Sequence, residues 1–159
     1  MLVASNSFRV LIVSLLSVIL GGCLATTPPK TGIQLQSFQS KEFETTVKIA
    51  FASTVSVFQD YGYIIEAADV ETGLITAKSP TEGGFMIFVG QKMNHVKASA
   101  FVEPRGNGLA RIRLNFVDST ETSSGYGMKS QNEKPIEDPQ YYQGVFTKIQ
   151  QAIFVRSNI

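Results

Sequence analysis

Phe43, Val47, Ala50, Phe51, Thr54, Phe58 and Tyr61 recur at spacings of three and four. That period places them on one stripe of a helix, capped by Ser40, running to about Asp60 and stopped by Gly62. Packing on a core is the usual fate of such a stripe; docking a partner helix is the alternative. Residues 63–69 and 74–79 are rich in β-formers and flank the turn Val70-Glu71-Thr72-Gly73, which predicts a hairpin. A second hairpin follows from strict alternation. Val96, Ala98, Ala100 and Val102 point one way, and Lys97, Ser99 and Glu103 the other. Beyond the turn at residues 104–108, Ala110, Ile112, Leu114 and Phe116 oppose Arg111, Arg113 and Asn115. Asp138-Pro139 predicts a helix start, because aspartate caps the exposed N–H groups and proline suits the first helical position. Tyr142, Val145, Phe146, Ile149 and Ile153 form the apolar face of that last helix.

Three segments lack so clear a period. Ile33, Leu35 and Ser37 alternate with Gln34, Gln36 and Phe38, which predicts a short strand. Residues 119–135 are polar, with Gly125 and Gly127, and read as a loop holding at most a short edge strand. Phe85, Met86, Ile87, Phe88 and Val89 form an uninterrupted apolar run between glycines. The run fits an additional core strand, an apolar loop that touches lipid or a partner, or a short helix; it is too short to span a bilayer. It is the candidate interaction loop. The expected order is β-α-β-β-β-β-α. This is an α+β domain: an antiparallel sheet of four to five strands packed against a long N-terminal helix and a C-terminal helix, with one polar sheet face.

The first residues have a different character. A polar segment ends at Arg9, and residues 10–20 are apolar except for Ser14 and Ser17. As a helix this run spans roughly 16 Å, whereas a bilayer crossing takes about 20 apolar residues. A charged start, a short apolar middle and small residues match a secretion signal that is later removed. Cys23, the sole cysteine, closes Leu20-Gly21-Gly22-Cys23. It has no thiol partner for a disulfide, and His95 alone is too little for a zinc site. The arrangement resembles a bacterial lipoprotein signal. The resemblance implies cleavage before Cys23, a diacylglycerol on its sulfur and a third acyl chain on the new amino group. At about 0.8 kcal/mol per buried methylene, three chains hold permanently. Leu24 rather than aspartate follows, which in such lipoproteins implies the periplasmic face of the outer membrane in a Gram-negative host. The expected organisation is a signal at 1–22, a lipidated tether at 23–32 and one domain at 33–159. The tether contains Pro28 and Pro29 and extends up to roughly 25 Å.

After cleavage about 137 residues remain, the size of one domain, with thirteen basic and thirteen acidic residues. Non-specific nucleic-acid binding needs a basic surplus, so no nucleic-acid partner is expected. Eleven phenylalanines without tryptophan supply enough apolar mass for a core. His95, the only histidine, stands at a strand start and reads as a surface residue; no nucleophile motif accompanies it. Lys97, Arg111 and Arg113 share the polar sheet face, either as a solvated surface or as a basic face for anionic lipid, glycan or an acidic partner. Glu133, Glu137 and Asp138 lack calcium-loop spacing, and Gly106-Asn107-Gly108 reads as a turn rather than a phosphate cradle. No catalytic residue and no cofactor beyond the lipid on Cys23 is expected.

Phe58-Gln59-Asp60-Tyr61-Gly62-Tyr63-Ile64-Ile65-Glu66, followed by Glu71-Thr72-Gly73-Leu74-Ile75-Thr76-Ala77-Lys78, resembles a pattern in small bacterial lipoproteins. There a helix ends in a Gln-Asp-aromatic-Gly-aromatic step and a hairpin carries Gly-Leu-Ile-Thr-Ala. Tyr141-Tyr142, Phe146 and Ala152-Ile153-Phe154 are similar to the closing helix of the same proteins. The element order also resembles the helix-grip domains of BamC, a lipoprotein of the outer-membrane β-barrel assembly machine. The resemblance implies a lipid-anchored interaction or envelope-assembly module with an envelope protein partner. A binder of a lipid or glycan fragment is the alternative.

Overall fold

The computed structural model describes residues 32–86, 90–123 and 128–158. The expected signal at 1–22, Cys23 and all of the tether except Gly32 lie outside the described residues, as do Ile87, Phe88 and Val89. Within them the chain forms α1 (Gly32–Gln39), β1 (Ser40–Glu44), α2 (Val47–Asp60), β2 (Ile64–Asp69), β3 (Leu74–Lys78) and β4 (Glu82–Met86). It continues as β5 (Gly90–Gly106), β6 (Leu109–Ser123), β7 (Lys129–Pro135) and α3 (Pro139–Ser157).

The α+β class and the antiparallel sheet hold, but among the described residues the sheet has seven strands rather than four to five. Its spine is the long β5–β6 hairpin. One half of that hairpin lies in the order β2-β3-β5-β6-β1; the other half pairs with β4 and β7. Thus β3 takes Lys97 to Phe101 of β5, and β4 takes Gly90 to Asn94. On the opposite edge β1 takes Leu109 to Arg113 of β6, and β7 takes Val117 to Ser123.

Each edge has a break between its two short strands, and each break is filled. On the β5 side, the Ser79 N–H donates to the Val96 carbonyl (2.8 Å), and the Val96 N–H donates to Ser79 Oγ (2.9 Å). On the β6 side, the Phe116 carbonyl accepts from the Ile136 N–H (2.9 Å), and the Phe116 N–H donates to Tyr142 Oη (3.3 Å). Buried backbone groups thereby find partners where no strand is present.

The inward face of the hairpin, from Ala98 to Val102 and Ala110 to Phe116, packs against α2 and α3. Ile75, Ile112, Leu114, Phe58, Tyr142 and Ile149 are all fully buried there. Phe116 lies at the centre of an aromatic cluster, 5.0 Å from Tyr141, 5.4 Å from Tyr142 and 6.0 Å from Phe58. Beyond Phe116 the burial alternation ends, and the same face carries Asp118, Thr120 and Thr122. The four strands there form an arm, in which all seven residues of β7 are exposed.

Three sequence expectations need correction. The N-terminal stretch is helix α1, not a strand; it buries no residue fully and is held by Phe38 against the Tyr142 ring, 5.2 Å away. Ser40 and Phe43 belong to β1, not to the helix. A strand with one buried residue shows no alternation, so Phe43 was absorbed by the next period. The helix begins at Val47, where Thr46 Oγ1 accepts the Ile49 N–H (3.3 Å), and ends as expected at Gly62, whose φ is 78°. Residues 119–123 and 129–135 are strand rather than loop, since β6 continues to Ser123 and β7 starts at Lys129. Binary pattern registers burial, and these strands have almost none.

The predicted α3 is confirmed, with Asp138 Oδ1 accepting the Gln140 N–H (2.9 Å). So is the first hairpin. Its turn is tied by Asp69, which accepts from the Glu71 N–H (3.0 Å) and the Thr72 hydroxyl (2.9 Å). Those bonds, the Thr72 one foremost, hold the Asp69 carboxyl below its usual pKa. Gly73 follows at φ 74°, and a Cβ there would lie 2.1 Å from the Val102 carbonyl oxygen.

Candidate interaction surfaces

α2 buries Ala50, Phe51, Val57 and Phe58, and α3 buries Tyr142, Val145, Phe146, Ile149 and Ile153. Because each helix turns its stripe to the sheet, a furrow of about 640 Å³ is left between them on the solvent side. Val57, Tyr61, Ala152 and Val155 make its apolar lining. Ser56 and Asp60 stand on the α2 wall; Lys148, Gln151 and Arg156 stand on the α3 wall. Arg156 Nη2 donates to Ser56 Oγ (2.5 Å) and closes one end. Val155 is 57% and Tyr61 44% exposed. The next residue pair on α3 opens the other way. Ile153 and Phe154, with Lys41, Phe43 and Gln150, line a second groove of about 410 Å³ beside β1. Lys41 Nζ there reaches Gln150 Oε1 (3.2 Å). Phe154 is 70% exposed. The last turns of α3 therefore offer apolar side chains to two grooves.

The candidate basic face is largely neutralised by ion pairs. Lys97, Arg111 and Arg113 do share the outward sheet face, yet Lys97 Nζ lies 2.6 Å from Glu133 Oε1 and Arg111 pairs with Glu103. Arg105 adds a pair with Glu42 at 3.0 Å. The hydrogen bond to Glu133 raises the pKa of Lys97, and the same bond lowers that of Glu133. Arg113 makes no ion pair among the described residues and stands beside the exposed Leu74 and Phe101. The sequence placed the cations; their anions came from other strands.

Phe85 and Met86 of the candidate loop are in β4 by backbone register, opposite Gln91 and Gly90. Ile87, Phe88 and Val89 lie outside the described residues. The acidic cluster is divided, because Glu133 engages Lys97 and Asp138 caps α3. Among the described residues no group of three His, Cys, Asp or Glu is placed to hold a metal ion, and no helix is long and apolar enough to cross a membrane.

His95 is not a surface residue. It is 4% exposed, and its Nε2 has no hydrogen-bond partner. It registers with Ser119 of β6, which in turn registers with Glu133 of β7. Ser119 is fully buried, and its Oγ also lacks a partner. Serine, histidine and glutamate in one row suggest a nucleophile with its base. The geometry opposes that use, since the two side chains make no mutual hydrogen bond and a sealed hydroxyl cannot reach a substrate carbonyl. Burial first, then Lys78, pushes the His95 imidazole below its ordinary pKa. A second polar contact of note joins α3 to the link between α2 and β2: the Tyr63 and Tyr141 hydroxyls lie 3.1 Å apart. Burial, with that bond, raises the pKa of Tyr63.

No family model matches the chain, and no curated protein matches it. Among solved structures it is similar to a DUF4468 family protein from Bacteroides ovatus ATCC 8483, with a TM-score of 0.40 and 11% identity over 82% of this chain and 92% of that one.

Proposed function

We propose that the protein is a lipid-anchored envelope lipoprotein whose domain binds a protein partner and catalyses no reaction. Acyl chains on Cys23 hold it at the periplasmic face of the outer membrane. The kinship to helix-grip lipoproteins of envelope assembly belongs to the same proposal. One observation carries the partner-binding part: the furrow between α2 and α3 has an apolar floor between walls of opposite charge. Such a furrow suits an amphipathic helix whose apolar stripe enters the floor. An acidic flank would face Lys148 and Arg156, and a basic flank would face Asp60, which fixes the orientation of docking. The furrow is favoured over Phe85 to Val89 as the contact surface on these grounds. The packed interior, with Phe58, Phe116 and Tyr142 filling the space beneath the helices, weighs against a small ligand held there.

The test has two parts. Cys23→Ser should shift the protein from the membrane to the soluble fraction and abolish acyl labelling; a protein that stays unacylated and soluble in the wild type overturns the anchor. A photo-crosslinking residue at Gln151 or Val155 should join, in native envelopes, a partner peptide with an amphipathic helical pattern and an acidic flank. Ala152→Arg should abolish that adduct, and Val155→Asp, at an exposed position with the crosslinking residue at Gln151, should do so without lowering stability. Adducts to lipid alone, or adducts indifferent to Ala152→Arg, overturn the partner reading.

A further inference from the structure

We propose that His95 is an acid-sensitive latch, whose protonation loosens the four-stranded arm formed by β4, β7 and the adjoining halves of β5 and β6 while the helix-covered half stays folded. The residue lies at the junction of the two halves, three positions before Ala98, which is buried under the helices. It is the only histidine in the chain. As a neutral ring it can be buried with one unpartnered acceptor nitrogen. As an imidazolium it carries a charge and two N–H donors, and Nε2 has no hydrogen-bond partner among the described residues. Directly opposite, the buried Ser119 Oγ is also unpartnered. In the folded arrangement neither group has a partner, and a charged donor left buried and unpaired favours the form in which water reaches it.

The charges around the ring do not reverse this. Lys78 from β3 and Lys97 from β5 oppose a proton there, and Glu121 from β6 and Glu133 from β7 favour it. Glu133 is already engaged by Lys97 (2.6 Å) and by Gln131 (2.8 Å). Glu82 of β4 registers with Asn94 and so belongs to the opposite sheet face. Among the described residues the arm has little else to hold it. All seven residues of β7 are exposed, whereas the other half of the hairpin packs on α2 and α3. A histidine titrating below its ordinary value binds its proton more readily when the arm is open. Acid thus favours the open form, starting near the free value of about 6.5 and increasing below it.

The experiment uses the mature lipidated chain, without a histidine tag, in detergent from about pH 8 to about pH 4.5. Exchange of the His95 ring C–H gives its midpoint by mass spectrometry. Amide exchange, corrected for its intrinsic pH dependence, gives the opening of each strand. The His95 midpoint should lie below about 6.5, and peptides from residues 90–95, 119–123 and 129–134 should lose protection between that free value and the midpoint and level off below it. The loss should be about tenfold for each pH unit that separates the folded midpoint from the free one. Peptides from α3 and from residues 110–116 should keep theirs. His95→Gln should flatten the response. A midpoint at or above the free value, arm protection unmoved between the free value and the midpoint, or loss in all peptides together overturns the latch. So does an unchanged transition in His95→Gln. Should that variant fail to fold, the wild-type coincidence of the ring midpoint with the levelling of arm opening still decides.

Discussion

Tyr142→Phe tests the account of how one helix closes the broken edge of the sheet. The phenol oxygen is fully buried and accepts two hydrogen bonds, from the Phe116 N–H (3.3 Å) and from Gln39 Nε2 (3.2 Å). The ring remains in the variant, so its contacts with Phe38 and Phe116 persist and no large cavity forms. Gln39 is only partly buried and can turn to water. The Phe116 N–H cannot, because it lies between the ends of β1 and β7 with no strand opposite. A buried donor left unsatisfied costs about 1–3 kcal/mol, so the expected loss is about 2 kcal/mol. For a domain of this size that lowers Tm by about 6 °C. Urea denaturation should give the same value with an unchanged m, since no extra surface is exposed. Exchange of the Phe116 amide should rise more than that of its neighbours. Gln39→Ala, which leaves no buried donor, should cost about 0.5 kcal/mol. Stability of Tyr142→Phe within about 0.5 kcal/mol of wild type would refute the reasoning, because the N–H would then have another partner.

Further outcomes follow from the same geometry. Gly73→Ala should destabilise by about 3 kcal/mol or more in urea, because it adds left-handed strain to a Cβ placed against the Val102 carbonyl. Asp138→Ala should cost about 1 kcal/mol through loss of the α3 cap, measured by thermal unfolding, with Asn largely restoring it. In alkali, the unfolded state loses the Tyr63 proton first, because the folded pKa is the higher one. Stability should therefore fall as pH rises above about 10, and Tyr63→Phe should reduce that slope in a pH series of denaturation curves. Val155→Asp, at an exposed position in the furrow, should leave Tm within about 2 °C of wild type while removing the partner crosslink.

Residues that meet the core announced themselves in the sequence. The inward row from Val96 to Val102, its partner row from Ala110 to Phe116, the stripe on α3 and the Asp138-Pro139 start were all legible because burial imposes a period of two or of nearly four on apolar side chains. The turn before Gly73 and the stop at Gly62 were legible because each backbone shape narrows the residue choice. The partners of Lys97 and Arg111 were not, since Glu133 and Glu103 arrive through strand register, which sequence spacing does not encode. Nor was the arm, where β7 is exposed along its whole length and carries no apolar pattern. His95 was misread for the same reason: its own neighbourhood is polar, and only the packing of four strands around it removes the ring from solvent. Local chemistry thus determined the elements that hide apolar surface. Tertiary pairing alone decided how many strands there are, which charges meet, and where a furrow and a buried histidine lie, because those depend on contacts between segments far apart in the chain.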